Sequence, residues 1–483
     1  MTTSFHPRPP AGHRWGRPVR ACALAALTAS ALVACGGGSG SSAETGLPAS
    51  TRLTADATYG GQGQTLLPLG SIDGNVTAAR LQPDGKLLVA GWRQTALPDP
   101  THFGWMAREA LVWRLNADGS LDASFGQNGE AALNFKGSDT LTDMVLQSDG
   151  RIVLAVSAIQ PCLTRLGYPF GFWSCFTESG DLADIGTVVA RLTSAGQIDP
   201  TFGVNGNVEA PSDIDLQPKL AVQPDQRILL LRSTGSLSLG LYSWELRRFS
   251  RNGQADAGYG GNGVAESSVS STCNAKGAGV LATAAGGAVV AANNQPPRYG
   301  VCLDVLDAEG QPDDKFNGGQ PLLIALYGTV TLAGLAERPN GNLVLTGRSW
   351  ASSTVMFAHQ VDGSGVPVAG YGDAGTALID PPANASLVGY ASLIGSDGSV
   401  VSAGAIWPTA AGTPQEPFWA RWTADGQPDL DFATGGLHQP GADAVIPQLL
   451  QRDSDGRWLV VGVQQAANGQ RSAVVWRVRG DAP

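Results

Sequence analysis

The chain has 483 residues, of which 15% are charged, and it is rich in glycine (64) and proline (30). This mixture is typical of many short strands joined by tight turns rather than of long charged helices. The net charge is −10; the first 34 residues carry four arginines and no acid, so the rest stands at 27 minus 41, or −14. An acidic body lacks the basic surface that phosphates require, so we expect no nucleic-acid partner.

Residues 1–34 are predicted to be a secretory signal peptide. An arginine-bearing start precedes an apolar run over 21–34, which is too short to span a membrane. The run ends Leu32-Val33-Ala34-Cys35, which resembles the lipobox of bacterial lipoproteins and implies that Cys35 is the lipidated first residue of the mature protein. The alternative is an ordinary signal peptide with a chance cysteine. Residues 35–50 then form a flexible Gly/Ser-rich tether, and residues 51–483 form the folded body.

The lipoprotein resemblance also implies a location. The protein is expected to be exported and held by its lipid in the envelope of a diderm bacterium. Gly36, where an inner-membrane retention signal would place Asp, resembles the enterobacterial sorting pattern for the outer membrane. We therefore expect an outer-membrane lipoprotein whose body is a monomer.

Four cysteines remain in the body after Cys22 and Cys35 are assigned to the signal and the lipid: Cys162, Cys175, Cys273 and Cys302. An even number in an exported chain indicates two disulfides. Three pairings are possible, and we favour Cys162–Cys175 and Cys273–Cys302. If Cys273 and Cys302 lay in the middle of their strands they would be about 10 Å apart, across an intervening strand, which is too far for a disulfide. We therefore expect this bond to form where the strands meet their loops. No C-x-x-C occurs, and no zinc site is predicted.

Two markers repeat along the body. The first is an aromatic residue before a glycine-rich turn, at intervals of 55 to 77 residues: Tyr59, Phe125, Phe202, Tyr259, Phe316, Tyr371 and Phe432. An aspartate precedes six of them by three positions (Asp56, Asp122, Asp199, Asp256, Asp313 and Asp429), whereas Val368 precedes Tyr371. The second marker is a turn such as Gln82-Pro83-Asp84-Gly85 between apolar runs, which favours a hairpin.

Each repeat divides into four strands. In the first repeat they are predicted at about 64–69, 76–81, 86–92 and 110–115, and the last repeat ends at 473–478. Seven such units predict an all-β fold, a seven-bladed β-propeller of four-stranded antiparallel blades. The stretches over 81–91 and 114–126 resemble the delta-60 repeat family, and the resemblance covers about 52–479. It implies a propeller of exported bacterial proteins and no particular reaction.

The repeated polar residues have two possible roles. Asp122 and its counterparts are either calcium ligands or acceptors for backbone N–H groups in the turn, and repetition in nearly every unit favours the structural role. Arg114, Arg191, Arg248, Arg421 and Arg477 share one strand position. They either line an anion-binding channel or pair with acids of the blades, and we favour pairing.

No catalytic residues, metal site or cofactor are predicted. The body contains three widely spaced histidines, His102, His359 and His438, and no H-x-x-x-H, G-x-S-x-G or phosphate-cradling glycine motif. Different blades can still bring separate residues together. An enzyme therefore stays open as an alternative.

The candidate binding residues are aromatic side chains in enlarged loops on one face. One loop, over 92–109, holds Trp92, His102, Phe103, Trp105 and Arg108; another, over 158–186, holds Tyr168, Phe170, Phe172 and Trp173. Trp350 and Trp407 begin the corresponding loops of two later blades. Exposed aromatic rings usually mark binding surfaces, although these loops could instead cap one another.

The function that the sequence favours is a non-enzymatic binding or scaffold module for a protein or glycan of the envelope. The alternative is a glycan hydrolase or lyase with its site at the mouth of the central channel. Two or more acids or histidines converging at that mouth would favour the enzyme.

Overall fold

The computed structural model describes residues 54–61, 63–70, 73–95, 107–160, 164–167, 173–176, 185–210, 215–236, 240–267, 273–350, 354–395, 397–410, 412–439, 445–466 and 468–479. All of them belong to the unit Ala49–Pro483. The predicted signal peptide, tether and lipidation site Cys35 lie outside these residues. Within them, no helix is long and apolar enough to cross a membrane.

The described chain is built almost entirely of strands. In chain order they are β1 (Thr54–Ala55), β2 (Gln64–Gly70), β3 (Gly74–Leu81), β4 (Leu87–Gln94), β5 (Arg108–Leu115), β6 (Glu130–Leu133), β7 (Ser138–Leu146), β8 (Ile152–Ile159), β9 (Thr164–Gly167), β10 (Trp173–Phe176), β11 (Ile185–Leu192), β12 (Asn207–Ala210), β13 (Asp215–Val222), β14 (Ile228–Ser236), β15 (Leu241–Phe249), β16 (Val264–Glu266), β17 (Ala275–Ala282), β18 (Ala288–Asn294), β19 (Gly300–Leu306), β20 (Leu322–Ala325), β21 (Thr329–Glu337), β22 (Leu343–Trp350), β23 (Thr354–Val361), β24 (Thr376–Ile379), β25 (Ala385–Ile394), β26 (Val400–Pro408), β27 (Glu416–Trp422), β28 (Leu437–His438), β29 (Pro447–Arg452), β30 (Trp458–Gln465) and β31 (Arg471–Arg479). Two 3-10 turns, Asn317–Gly319 and Thr434–Gly436, complete the assigned elements.

Most strands form antiparallel groups of four. The groups β13–β16, β17–β20, β21–β24 and β25–β28 are separate four-stranded sheets. β3–β6 and the set β7, β8, β11 and β12 are two further groups, which a parallel pairing of Arg108 with Ser138 joins into one eight-stranded sheet. The all-β prediction is therefore confirmed, and repeated four-stranded antiparallel sheets are consistent with a propeller.

The first predicted strand belongs to a different sheet from the one expected. β2 pairs with β31, so it forms the outer strand of the sheet that contains β29 and β30. Each sheet therefore begins one strand later in the chain than the predicted repeat unit. A sequence repeat gives the length of the unit, but it does not show which strand of the unit is the first in a sheet. β1 also pairs with β31. Apolar side chains of this sheet, such as Leu67 and Val475, share a buried cluster with Val89 and Trp113 of the β3–β6 group.

Two ends of the sheets can be distinguished. Within each group the strands are numbered in chain order, so the first strands are β3, β7, β13, β17, β21, β25 and β29. The turns that connect first to second strands, and the turns that follow third strands, lie together at one end, which we call the turn end. First strands begin and second strands finish at the opposite end, which we call the loop end. The pairing of Thr54 with Arg479 places the start of the described chain at the turn end.

A clasp of arginine, aspartate and aromatic ring joins neighbouring sheets at the turn end. Arg114 donates from Nε to Oδ2 of Asp122 at 2.7 Å, and its guanidinium carbon lies 4.7 Å from the ring centroid of Phe125. Arg114 also donates to the carbonyl of Ser194, in the turn after the third strand of the next group. Phe125 is fully buried, and a Cβ on Gly196, whose φ is +80°, would lie 2.8 Å from its ring. The ring therefore requires glycine in the facing turn.

The clasp recurs in other groups. Arg191 with Asp199 and Phe202, Arg248 with Asp256 and Tyr259, and Arg477 with Asp56 and Tyr59 make the same contacts. Burial disfavours the charge of Asp199, but hydrogen bonds from Thr201 and the charge of Arg191 outweigh it and lower its pKa to about 2. The structural roles favoured for the aspartates and arginines are thereby confirmed.

Two copies depart from the clasp. The copy at Phe316 has Val305 in place of the arginine, and the copy at Tyr371 has Gln360 and Val368 in place of the arginine and the aspartate. Arg338 from the preceding turn covers the Tyr371 ring instead, 5.5 Å from its centroid, and donates to the carbonyl of Ala424 at 3.1 Å. Its Nε has no hydrogen-bond partner in the described residues. An unrelated position has thus taken over the same contact.

The first strands share a feature that the repeat did not indicate. Each has a β-bulge at a matching place, and in six of them a single residue is skipped: Thr77, Thr142, Ala278, Ala333, Tyr390 and Gln448. The shift in β13 is longer, between Asp215 and Lys219. A bulge takes a residue out of the ladder and redirects its side chain, and bulges are common beside binding sites.

The clasp predicts a large stability effect for its most enclosed member. Arg191, whose side chain is 1% exposed, is expected to lower the free energy of unfolding by about 3 kcal/mol when changed to alanine, because Asp199 keeps only Arg151 as a charged partner. Arg227→Ala removes an arginine that is 45% exposed and should change the same quantity by less than about 0.5 kcal/mol. Urea denaturation at pH 7 measures both. Equal losses in the two variants would contradict the clasp.

Candidate functional site

First strands of successive groups touch one another. Arg80 of β3 lies 3.1 Å from Asp143 of β7, and Thr142 donates to the carbonyl of Pro218 in β13 at 3.0 Å. Gln451 of β29 donates to the carbonyl of Ala79 in β3 at 2.9 Å, which connects the last group to the first. These strands are therefore the innermost ones, and the space between them is axial.

A cavity of about 430 Å³ occupies this space. Six first strands, β3, β7, β13, β17, β21 and β25, contribute to its lining. Asn293 of β18 and Gln295, just after β18, add amide groups at the loop end. The lining polar and charged side chains are Arg80, Asp143, Gln217, Lys219, Lys276, Asn293, Gln295, Thr331 and Tyr390. We call this the axial cavity.

The acid of the cavity is fully engaged. Asp143 pairs with Arg80 and also accepts hydrogen bonds from the backbone N–H groups of Met144 at 2.8 Å and Leu220 at 2.9 Å. Asp143 and Arg80 thus neutralise each other, and the carboxylate ties three segments together. Its contacts give it a structural role.

The two lysines are held differently. Lys219 contacts only the carbonyl of Thr142 at 3.5 Å, and the ammonium of Lys276 lies 4.6 Å from the ring centroid of Tyr242. Neither forms an ion pair with a carboxylate of the described residues. Both are half-buried. Their positive charges are therefore available to a ligand in the axial cavity.

The remaining lining is apolar. Val330, Leu332 and Leu335 of β21 line the cavity together with Tyr390, the bulged residue of β25, whose side chain is 40% exposed. Glycines at 277, 279 and 334 keep the surface between them low. The axial cavity thus combines charged and amide groups from one set of strands with an apolar surface and one phenol from another.

A second, wider depression lies at the turn end, with a volume of about 1280 Å³. It continues the axial cavity along the same strands. Leu81, Leu281 and Ala336 line it, and each directly follows a residue that lines the axial cavity. Its rim consists of the repeated turns, and glutamines from them join sheets: Gln147 donates to the carbonyl of Arg251 at 3.1 Å. Its side chains therefore belong mainly to the scaffold.

Two predicted binding residues prove to be strand residues. β4 continues to Gln94 and β5 begins at Arg108, so the predicted loop over 92–109 is shorter than expected. Trp92 is buried, and the guanidinium of Arg108 covers its ring at 4.0 Å from the centroid. Arg108 also donates to Thr140 of the next group at 3.2 Å. In the structure this pair joins two groups at the loop end.

The other aromatic candidates fall into two sets. Trp350 is 59% exposed and Trp407 is 45% exposed. Both stand at the loop end, opposite the first residue of β21 and the second residue of β25. Trp173 lies in β10 opposite Gly167 of β9, a hairpin within the long loop, and its side chain is not described. His102, Phe103, Trp105, Tyr168, Phe170 and Phe172 lie outside the described residues.

One predicted disulfide is confirmed. Cys273 and Cys302 are bonded, with Cα atoms 6.1 Å apart, at the loop end where the separation across one strand can be spanned. Cys273 stands three residues before Lys276, so the bond fixes the start of the strand that carries this lysine. Cys162 lies outside the described residues, and the pairing Cys162–Cys175 stays a prediction.

The described histidines do not converge on the cavity. His359 is buried on β23 against Thr376, 2.8 Å from its hydroxyl, and burial lowers its pKa to about 4. His438 packs edge-on against Phe432, with ring centroids 6.2 Å apart. Within the described residues, no group of three or more histidines, cysteines or acids could hold a metal ion.

Comparison with known proteins agrees with the fold. A family model described as a domain of unknown function (DUF5122) beta-propeller matches residues 107–125, and no curated protein matches the chain. Similar solved structures include the polysaccharide lyase Uly1 (13% identity, 84% of this chain and 90% of that one, TM-score 0.44). Others are a PL25 ulvan lyase bound to a GlcA–Rha3S saccharide (9%, 86% and 96%, 0.43) and a protein of unknown function from Dyadobacter fermentans (15%, 89% and 100%, 0.39). At these identities the similarity concerns the fold alone.

The axial lysines were missed by sequence reasoning, although a signal was present. The chain has only five lysines, and Lys219 and Lys276 both lie in apolar first strands, away from the repeated turns. A rare charge inside a strand that the repeat makes apolar departs from the scaffold pattern. The bulges that redirect these strands leave no comparable mark in the sequence.

A half-buried acid gives the protein a distinctive pH response. Asp304 on β19 accepts a hydrogen bond from the indole of Trp244 at 3.0 Å, and burial raises its pKa to about 6. Since the pKa of Asp304 is raised on folding, its charge opposes folding at neutral pH. The opposition fades as the pH falls from about 6 towards the unfolded value near 3.8.

Asp304→Asn keeps the acceptor for Trp244 and removes the charge. We expect it to raise the free energy of unfolding by about 1–2 kcal/mol at pH 7.5 and to have little effect at pH 4. Urea denaturation across this pH range measures the difference from the parent. Asp314→Asn, at an exposed position, serves as the control and should leave stability within about 0.5 kcal/mol. A gain that is equal at both pH values would contradict the assignment.

Proposed function

We propose that this protein is a non-enzymatic glycan-binding module: a seven-bladed propeller that holds sugar residues at the loop end of its axial cavity. The main support is the composition of that cavity. Side-chain amides, the phenol of Tyr390 and the ammonium groups of two lysines that form no ion pair within the described part of the chain lie beside an apolar surface. Its volume falls within the range of about 300–1,000 Å³ that is usual for small-ligand sites.

Sugars suit such a surface because each ring carries hydroxyls at its edge and an apolar C–H face. Leu332 and Tyr390 offer a surface for the apolar face. The side-chain oxygen of Asn293 accepts a hydrogen bond from the backbone N–H of Leu332 at 3.1 Å. The side-chain NH2 group of Asn293 can therefore donate to sugar hydroxyls. Trp350 and Trp407 at the same end supply exposed rings on which further sugars of a chain can stack.

The small number of carboxyl groups in the axial cavity favours a binding role over glycoside hydrolysis. Hydrolysis generally uses two carboxyl groups flanking the scissile bond. Among the described residues that line the axial cavity, Asp143 alone is acidic, and its oxygens are occupied by Arg80 and two backbone N–H groups. A lyase remains the alternative function, because it requires no such pair.

The proposal includes the finer architecture and location. We place the chain in the delta-60 repeat family, with seven blades closed by β2 as the outer strand of the last one. We also propose that Cys35 carries a lipid that anchors the protein to the outer membrane, with a disulfide between Cys162 and Cys175.

Binding is tested with the full-length protein purified in detergent. Retardation in gels that contain defined polysaccharides identifies a ligand, and calorimetry measures its affinity. Tyr390→Ala should weaken binding about fivefold or more, because stacking against a ring contributes about 1 kcal/mol or more. Tyr327→Ala, which removes a tyrosine that is 89% exposed and outside the cavity, is the control.

Undiminished binding by Tyr390→Ala would overturn the site. Release of reducing ends or of unsaturated sugars from the bound polysaccharide would replace the binding module with the enzyme alternative. Both products are measured in the same incubation, by a reducing-sugar assay and by ultraviolet absorbance.

The anchor has its own test. Cys35→Ser should abolish incorporation of labelled palmitate and move the protein from the membrane to the soluble fraction, because the thiol is the site of lipid attachment. Cys22→Ser, within the predicted signal peptide, is the matched control and should leave both unchanged. Membrane attachment of Cys35→Ser would contradict lipidation.

A further inference from the structure

The axial cavity carries an excess of positive charge. Arg80, Lys219 and Lys276 contribute three charges and Asp143 removes one, which leaves two. The whole chain, by contrast, has a net charge of −10. The excess is therefore local, and it does not reflect the composition of the surface as a whole.

Both unpaired charges come from adjacent first strands. Lys219 follows the bulge of β13, and Lys276 is the second residue of β17, next to the loop end. Strand β17 is fixed nearby by the disulfide of Cys273. Both lysines line the axial cavity, so one anion held there can accept from two ammonium groups.

The contacts that these lysines make leave their ammonium groups able to bind such an anion. Lys276 rests on the ring of Tyr242, a contact that stabilises the ammonium without using its capacity to donate. Lys219 has one long hydrogen bond, to a backbone carbonyl at 3.5 Å. Both ammonium groups can exchange these contacts for an anionic ligand, because charge-assisted hydrogen bonds to an anion are shorter and stronger.

We infer that the ligand of the axial cavity is an acidic glycan whose carboxylate or sulfate lies between Lys219 and Lys276. This inference rests on the proposed glycan-binding function. The sugar ring that bears the acid lies against Leu332 and Tyr390, and neighbouring sugars of the chain leave through the loop end. Arg80 takes no part, because Asp143 satisfies it.

Matched polysaccharides isolate the charge. Polygalacturonate and its carboxyl-reduced form differ only in the acid, and dextran sulfate with unmodified dextran tests a sulfate in the same way. Calorimetry with the full-length protein in detergent gives the affinity for each, at low salt and again at about 0.5 M NaCl, where charge contacts are largely screened.

We expect one acidic polymer to bind at least tenfold more tightly than its neutral partner, and the preference to shrink at high salt. Lys219→Gln and Lys276→Gln should each weaken binding of the acidic polymer about tenfold and weaken binding of the neutral one by much less. Lys315→Gln, an exposed lysine outside the cavity, is the matched control. The melting temperature of each variant shows that it is folded.

The outcomes separate the two proposals. Equal binding of acidic and neutral polymers, with no effect of either lysine variant, overturns the acidic ligand and retains the glycan-binding function. Binding of no polysaccharide overturns both. A preference for acid that Lys315→Gln reduces as much as the cavity variants assigns the charge effect to the surface and also overturns the inference.

Discussion

The fold depends on one repeated contact, the clasp in which an arginine grips an aspartate of its own sheet, covers an aromatic ring and reaches the turn of the next sheet. Arg477 makes this contact with Ala117 of the β3–β6 group at 3.1 Å, so the last sheet is joined to the first by the kind of bond that Arg114, Arg191 and Arg248 make to the next turn. Each clasp is buried at the turn end. The sheets are thus held together at one end and along their faces.

This arrangement separates the scaffold from the site. Residues at the turn end vary little in chemistry, and where the clasp arginine is absent, as at Gln360, Arg338 restores the contact to the ring. First strands at the axis are free to differ, because their bulges take residues out of the ladder. Lys219 and Tyr390 exploit this freedom on different strands. The result is a cavity whose two sides differ although the strands around it are repeated.

The sequence predicted much of the scaffold and little of the site. The recurrence of an aspartate and an aromatic ring, as at Asp122 and Phe125, indicates the number and period of the repeats because the contacts of these residues are local and are repeated in most copies. The partner of Gln64–Gly70 is not encoded in that period, so its pairing with β31 was not anticipated. Trp92 was expected to end a strand and begin an exposed binding loop, yet it is buried beneath Arg108, since a tryptophan at the end of a strand serves burial as well as binding. The axial cavity brings together residues far apart in the chain, and no motif marks them.

The central claim is that an acidic sugar binds between the axial lysines. A crystal structure of the protein with a galacturonate oligomer, or a sulfated one if calorimetry selects it, tests this most directly. The account predicts density in the axial cavity with the acid oxygens about 2.7–2.9 Å from the ammonium groups of Lys219 and Lys276. Density confined to Trp350 and Trp407, or to the depression at the turn end, would contradict it.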